Sequence, residues 1–74
     1  MRFVAYTVPA RLLHNQGTIT APNVDLALVI LLGSRGETEV RPDRIRIKGK
    51  KRIAFKEGAD YFYVVEPEWV SPRL

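Results

Sequence analysis

There is no cysteine in this 74-residue chain, so neither a disulfide framework nor a thiolate metal site is available, and stability must come from packing or association. Histidine occurs once, at His14, in a Leu-His-Asn-Gln-Gly stretch with no acid beside it. A histidine-based triad would rest on that residue alone, and it reads as a surface-loop side chain. Long apolar runs are missing too. The longest, Leu26 to Leu32, has seven residues against the roughly 20 that span a bilayer, and it lies far from the N-terminus. The expectation is a soluble, unsecreted protein acting in the cytoplasm or within a viral or other intracellular assembly. Gly33, Gly36, Gly49 and Gly58 are isolated turn residues with no phosphate-loop pattern around them. Glu66 and Glu68 flank Pro67 at no recognised metal or acid–base spacing, and they read as part of a solvated C-terminal turn. The expectation is therefore no catalytic residue, no metal and no cofactor: a binding module, not an enzyme.

What is present fits one small domain over residues 1–74. A chain this short buries only about 60% of the surface its unfolded form exposes. Its 46% hydrophobic content is nonetheless enough for a compact core. The formal charge of +4 conceals a sharp asymmetry: from Arg41 to Lys56 eight basic residues face one acid, Asp43, a local charge of +7, while the remainder carries −3. Segregation of this kind gives the molecule a directional field.

Turn signals fall a strand length apart, as in small all-β domains. Arg2 to Val8 is rich in β-branched and aromatic residues and ends at Pro9, which predicts a strand. Ala10 to Gln16 has room for one short helical turn between Pro9 and Gly17. For residues 24–32, Asn23 and Gly33 could cap and end a helix, but that helix would be apolar all round, which a domain this small can hardly bury. A strand is the preferred reading. It sends Val24, Leu26, Leu28, Ile30 and Leu32 to the core, and it leaves Ala27, Val29 and Leu31 on an outer face as a patch for self-association, most simply a two-fold dimer. Glu37 to Arg41 returns as a strand, and Pro42 with Asp43 suits a type I turn.

The stretch RIRIKGKKRIAF, residues 44 to 55, alternates basic and apolar side chains about Gly49. Two hairpin registers compete. A two-residue type II′ turn at Gly49 and Lys50 pairs Lys48 with Lys51 and Ile47 with Arg52, mixing the faces. A three-residue loop pairs Ile47 with Ile53 and Ile45 with Phe55, giving one apolar face and one basic face. Burying four apolar side chains at about 1.5 to 3 kcal/mol each outweighs any turn preference, so the second register is expected. Lysines and arginines commonly solvate an exposed strand. Here, however, the expected face has no acid, and like charges sit opposite one another at a cost that a bound anion would relieve.

The nucleic-acid-binding candidates are therefore Arg44, Arg46, Lys48, Lys50, Lys51, Arg52 and Lys56, joined by Tyr61 and Tyr63, which share a face of the following strand and could stack bases. Trp69, between Pro67 and Pro72, reads as a plug on the end of the domain. Together these features predict a mainly β fold, a small antiparallel barrel of five or six strands of the SH3-like or OB-like kind. Its expected partner is RNA or single-stranded DNA, more than duplex DNA. The alternative is a small adaptor or structural subunit of a viral or other large assembly, whose basic hairpin meets an acidic protein surface.

Overall fold

The computed structural model describes residues 1–8, 17–36 and 41–70. Strands β1 (Arg2–Val8) and β2 (Gly17–Thr20) precede helix α1 (Val24–Ser34). A 3₁₀ turn at Pro42–Arg44 then leads into β3 (Ile45–Lys48), β4 (Lys51–Phe55) and β5 (Phe62–Pro67), and a second 3₁₀ turn follows at Glu68–Val70. The strands form one antiparallel sheet in the order β2-β1-β5-β4-β3. The fold is mainly β, as expected, but the sheet is not closed: β2 and β3 are its edges, and barrel closure is not seen. The anticipated helical turn within residues 10–16 and most of the strand expected from Glu37 to Arg41 lie outside the described residues.

Residues 24–32 are helical, which overturns the strand reading. The capping signals decide it. The Asn23 side chain accepts a 2.9 Å hydrogen bond from the Leu26 amide, and Asp25 adds an acid in the first turn. At the other end the Arg35 and Gly36 amides donate to Leu32 and Gly33, with Gly36 at φ +82° taking the left-handed position that ends the helix. The objection that a small domain cannot bury an all-apolar helix is met in an unexpected way, because the helix is only half buried. Ala27, Leu28, Leu31 and Leu32 pack on the sheet, while Leu26, Val29 and Ile30 stay 45–48% exposed. At 11 residues, α1 is about 16 Å long, and no helix among the described residues is long and apolar enough to cross a membrane.

The core lies between α1 and one sheet face. Phe3, Ala5, Ala54, Tyr63 and Val65 supply the sheet side, with Ala21 and half-buried Ile19 and Ile45 beside them. Alanines at positions 5 and 54 let the helix approach closely. The bulkier neighbours Ile53 and Phe55 therefore point away from the helix, and this sets the hairpin register. β3 and β4 pair Lys48 with Lys51, Ile47 with Arg52, Arg46 with Ile53 and Ile45 with Ala54. This is the two-residue turn, with Gly49 at φ +60° as type II′ geometry requires, and the expected three-residue loop is not formed. The expectation failed because it assumed that only one face of the ribbon would be apolar. Both faces of this sheet are: opposite the helix, Val4 and Val64 are closed to solvent, and Ile53 and Phe62 are half buried.

Candidate nucleic-acid interface

The observed register divides the basic residues between the two faces. Arg46, Lys48 and Lys51 project from the face opposite α1, whereas Arg52 pairs across from Val65 and lies on the helix side. Arg52 is fastened there. Its Nε donates to Asp25 Oδ1 at 2.8 Å, its Nη1 donates to the Gly49 and Lys51 carbonyls at 3.1 Å, and its side chain is 15% exposed. Arg44 is ion-paired to Glu57 at 3.1 Å, and the Lys50 ammonium lies over the Trp69 ring, 5.5 Å from its centroid. Trp69 is 69% exposed, so it does not plug the domain. Lys56 follows the end of β4.

Glu66 departs furthest from its expected place. It belongs to β5, on the face opposite the helix, and is 97% buried rather than part of a solvated turn. Lys51 Nζ lies 3.3 Å from its Oε2, close enough for charge attraction but not aligned as a hydrogen bond. Lys51 is therefore partly committed to neutralising a buried carboxylate. Glu68 is more exposed and pairs with Arg2 at 3.3 Å.

The tyrosines alternate as expected, with Tyr63 on the helix side and Phe62 and Val64 opposite it. This takes Tyr63 into the core at 3% exposure, where it meets Tyr61 edge-on at 5.7 Å. Burial pushes the Tyr63 phenol above its ordinary pKa and the hydrogen bond with Tyr61 adds to the effect, while Lys56 and Arg35 pull the other way. A buried ring cannot offer its face to a base.

A second aromatic pair, one ring exposed and one half buried, lies on the other face, at residues the sequence did not single out for stacking. Phe55 and Phe62 are cross-strand partners with ring centroids 5.2 Å apart, and Phe55 is 37% exposed. The Arg46 guanidinium sits 5.3 Å from the Phe55 centroid. Strand alternation could have shown the link, since Phe55 and Phe62 each stand one residue out of phase with the core positions Ala54 and Tyr63. No known family, curated protein or solved structure matches the chain. Its chemistry must be read from this arrangement alone. Two rings tilted 42° to one another, a cation over one of them and the exposed Lys48 further along β3 form a surface that can stack a planar group and attract an anion beside it.

The self-association patch is redistributed in the same way. Ala27 and Leu31, at 0% and 1% exposure, are core residues, and only Val29 remains outside, now beside Leu26 and Ile30 on the helix.

Proposed function

We propose that this protein binds single-stranded nucleic acid, RNA or DNA, across the sheet face opposite α1, and that it does so as a binding module without catalysis. The Phe55–Phe62 pair flanked by Arg46 carries the reading. Bases stack on the exposed ring edge of the sheet while Arg46, Lys48 and, in part, Lys51 meet phosphates. A sheet face carrying aromatic rings is one recurring way for proteins to read single strands, and here it is an analogy of chemistry and not of descent. With about three or four phosphates neutralised, log affinity should fall with log salt at a slope of about −2 to −3. Phe55→Ala should cost about 1 to 3 kcal/mol of oligonucleotide affinity, and Arg46→Ser with Lys48→Ser should weaken all sequences alike. Fluorescence anisotropy with a labelled oligonucleotide measures both. Unchanged affinity in the two variants sinks the proposal, and cleavage of labelled RNA by purified protein sinks the non-enzymatic part of it.

A second reading, a small adaptor or structural subunit within a larger assembly, is favoured by one observation. Leu26, Val29 and Ile30 form an exposed apolar face on α1 that nucleic-acid binding leaves unused. Self-association through that face is the simplest form of this reading.

A further inference from the structure

Where α1 ends and the sheet continues, a cleft of about 220 Å³ opens beside β3 and β4. Its origin is steric. The helix stops at Ser34, and beneath the gap β4 presents only the methyl group of Ala54, between its cross-strand partners Ile45 and Tyr63. Leu32 closes the helix side, so the floor around Ala54 is apolar. Phe55 forms part of the wall, while its ring pairs with Phe62 on the opposite face of the sheet. The cleft and the proposed stacking surface thus meet at Phe55, on the two faces of the end of β4.

The mouth has a different character. Among the described residues, Arg41, Arg44 and Lys56 line it with one acid, Glu57. Arg44 is held in place, 28% exposed and 3.1 Å from Glu57, whereas Arg41 lies 3.8 Å from Asp43 with both side chains more than half exposed. Such an exposed pair contributes little and yields readily to a stronger anion. An apolar, partly aromatic floor under a cationic mouth selects a ligand with a flat body and a negative tail. The volume is below the roughly 300 Å³ at which drug-sized pockets begin, so the flat body is about one ring system.

We infer that this cleft takes one nucleotide of a bound single strand, with the base on the Leu32–Ala54 floor beside Phe55 and the phosphate between Arg41 and Arg44. The inference rests on the nucleic-acid reading and assigns it a second, deeper subsite. A phosphate oxygen accepts hydrogen bonds from the two guanidiniums, the planar fork suited to that geometry. The base supplies the apolar contact that phosphate alone lacks.

The test is an amide chemical-shift titration of the full chain with three probes: adenosine 5′-monophosphate, inorganic phosphate and a six-residue oligoadenylate. The monophosphate should shift Leu32, Ile45 and Ala54, phosphate alone should bind at least about tenfold more weakly, and the oligomer should shift the cleft together with Arg46 and Phe62. Arg41→Gln with Arg44→Gln changes surface side chains and should weaken the monophosphate about tenfold or more while leaving the circular dichroism spectrum intact. Oligomer shifts confined to the Arg46–Phe62 face would overturn the cleft and leave the sheet-face reading standing. If neither ligand binds, both readings fall. Monophosphate in the cleft without oligomer binding would overturn its role in holding a strand.

Discussion

Arg52 offers the sharpest test of how the structure divides the basic residues between scaffold and surface. Its guanidinium joins the first turn of α1, through Asp25, to the carbonyls of the β3–β4 turn, through Gly49 and Lys51. Arg52→Met keeps the aliphatic stem and removes every one of these bonds. The ion pair contributes about 0.2 to 1 kcal/mol because Asp25 is largely exposed, and the two carbonyl bonds add about 0.5 to 1.5 kcal/mol each. The expected loss is about 1.2 to 4 kcal/mol, and 2 kcal/mol corresponds to a drop in Tm of about 8 to 16 °C for a domain of this size. Asp25→Asn removes the ion pair and the first-turn acid but spares the carbonyl bonds, and should cost about 0.5 to 2 kcal/mol. Urea unfolding followed by far-ultraviolet circular dichroism gives both values, and the double variant gives their coupling. Oligonucleotide affinity, measured where both variants are folded, should change less than it does in Arg46→Ser. A stability change below about 0.5 kcal/mol, with affinity falling as far as in Arg46→Ser, would refute the division and return Arg52 to the binding surface.

Gly33→Ala should stabilise the fold by about 0.5 to 1 kcal/mol in urea titrations, because Gly33 is helical without a positive φ and an added Cβ meets nothing within 4 Å; a loss of stability would mean that another chain approaches closely there. If the exposed face of α1 is a self-association surface, light scattering should report a mass above one chain at micromolar concentration, and Ile30→Glu should return it to monomer. A wild-type monomer defeats that prediction. Stability should also decline as pH rises past about 10, the ordinary tyrosine value: the raised pKa of Tyr63 means the unfolded chain loses its proton first, so the contribution is whole below that pH and is lost as pH climbs through the folded value. Tyr63→Phe should flatten this alkaline limb, and an unchanged limb would remove Tyr63 as its cause.

The sequence revealed most where local chemistry and the global fold agree. Arg2 to Val8, the alternation of Tyr61 to Val65 and the turn at Gly49 all follow from side-chain type and spacing. The strand reading of residues 24–32 failed because an apolar outer side does not forbid a helix that is left half exposed; Asn23 marks its start as a cap would, while Gly36 and not the expected Gly33 terminates it. The hairpin register failed for a related reason. Which face of β4 must be small is decided by how closely α1 approaches Ala54, a tertiary fact invisible in the ribbon itself. The candidate site shifted with it, from the tyrosines to Phe55 and Phe62, while Arg46 and Lys48 kept their outward place. Glu66 could not be placed from its neighbours in sequence, because its partner Lys51 lies on another strand.

The strand order also bears on how the molecule is made. β5 pairs with β1 on one side and β4 on the other, so residues 62–67 join the first two strands to the β3–β4 hairpin. During synthesis, two separate ribbons leave the ribosome with the inner edges of β1 and β4 unpaired, and no shared sheet can form until residue 67 is free. Pairings this distant along the chain form slowly, and open strand edges attract other chains meanwhile. Assembly of the described sheet is thus completed by its most C-terminal strand, which enters between two that have been waiting for it.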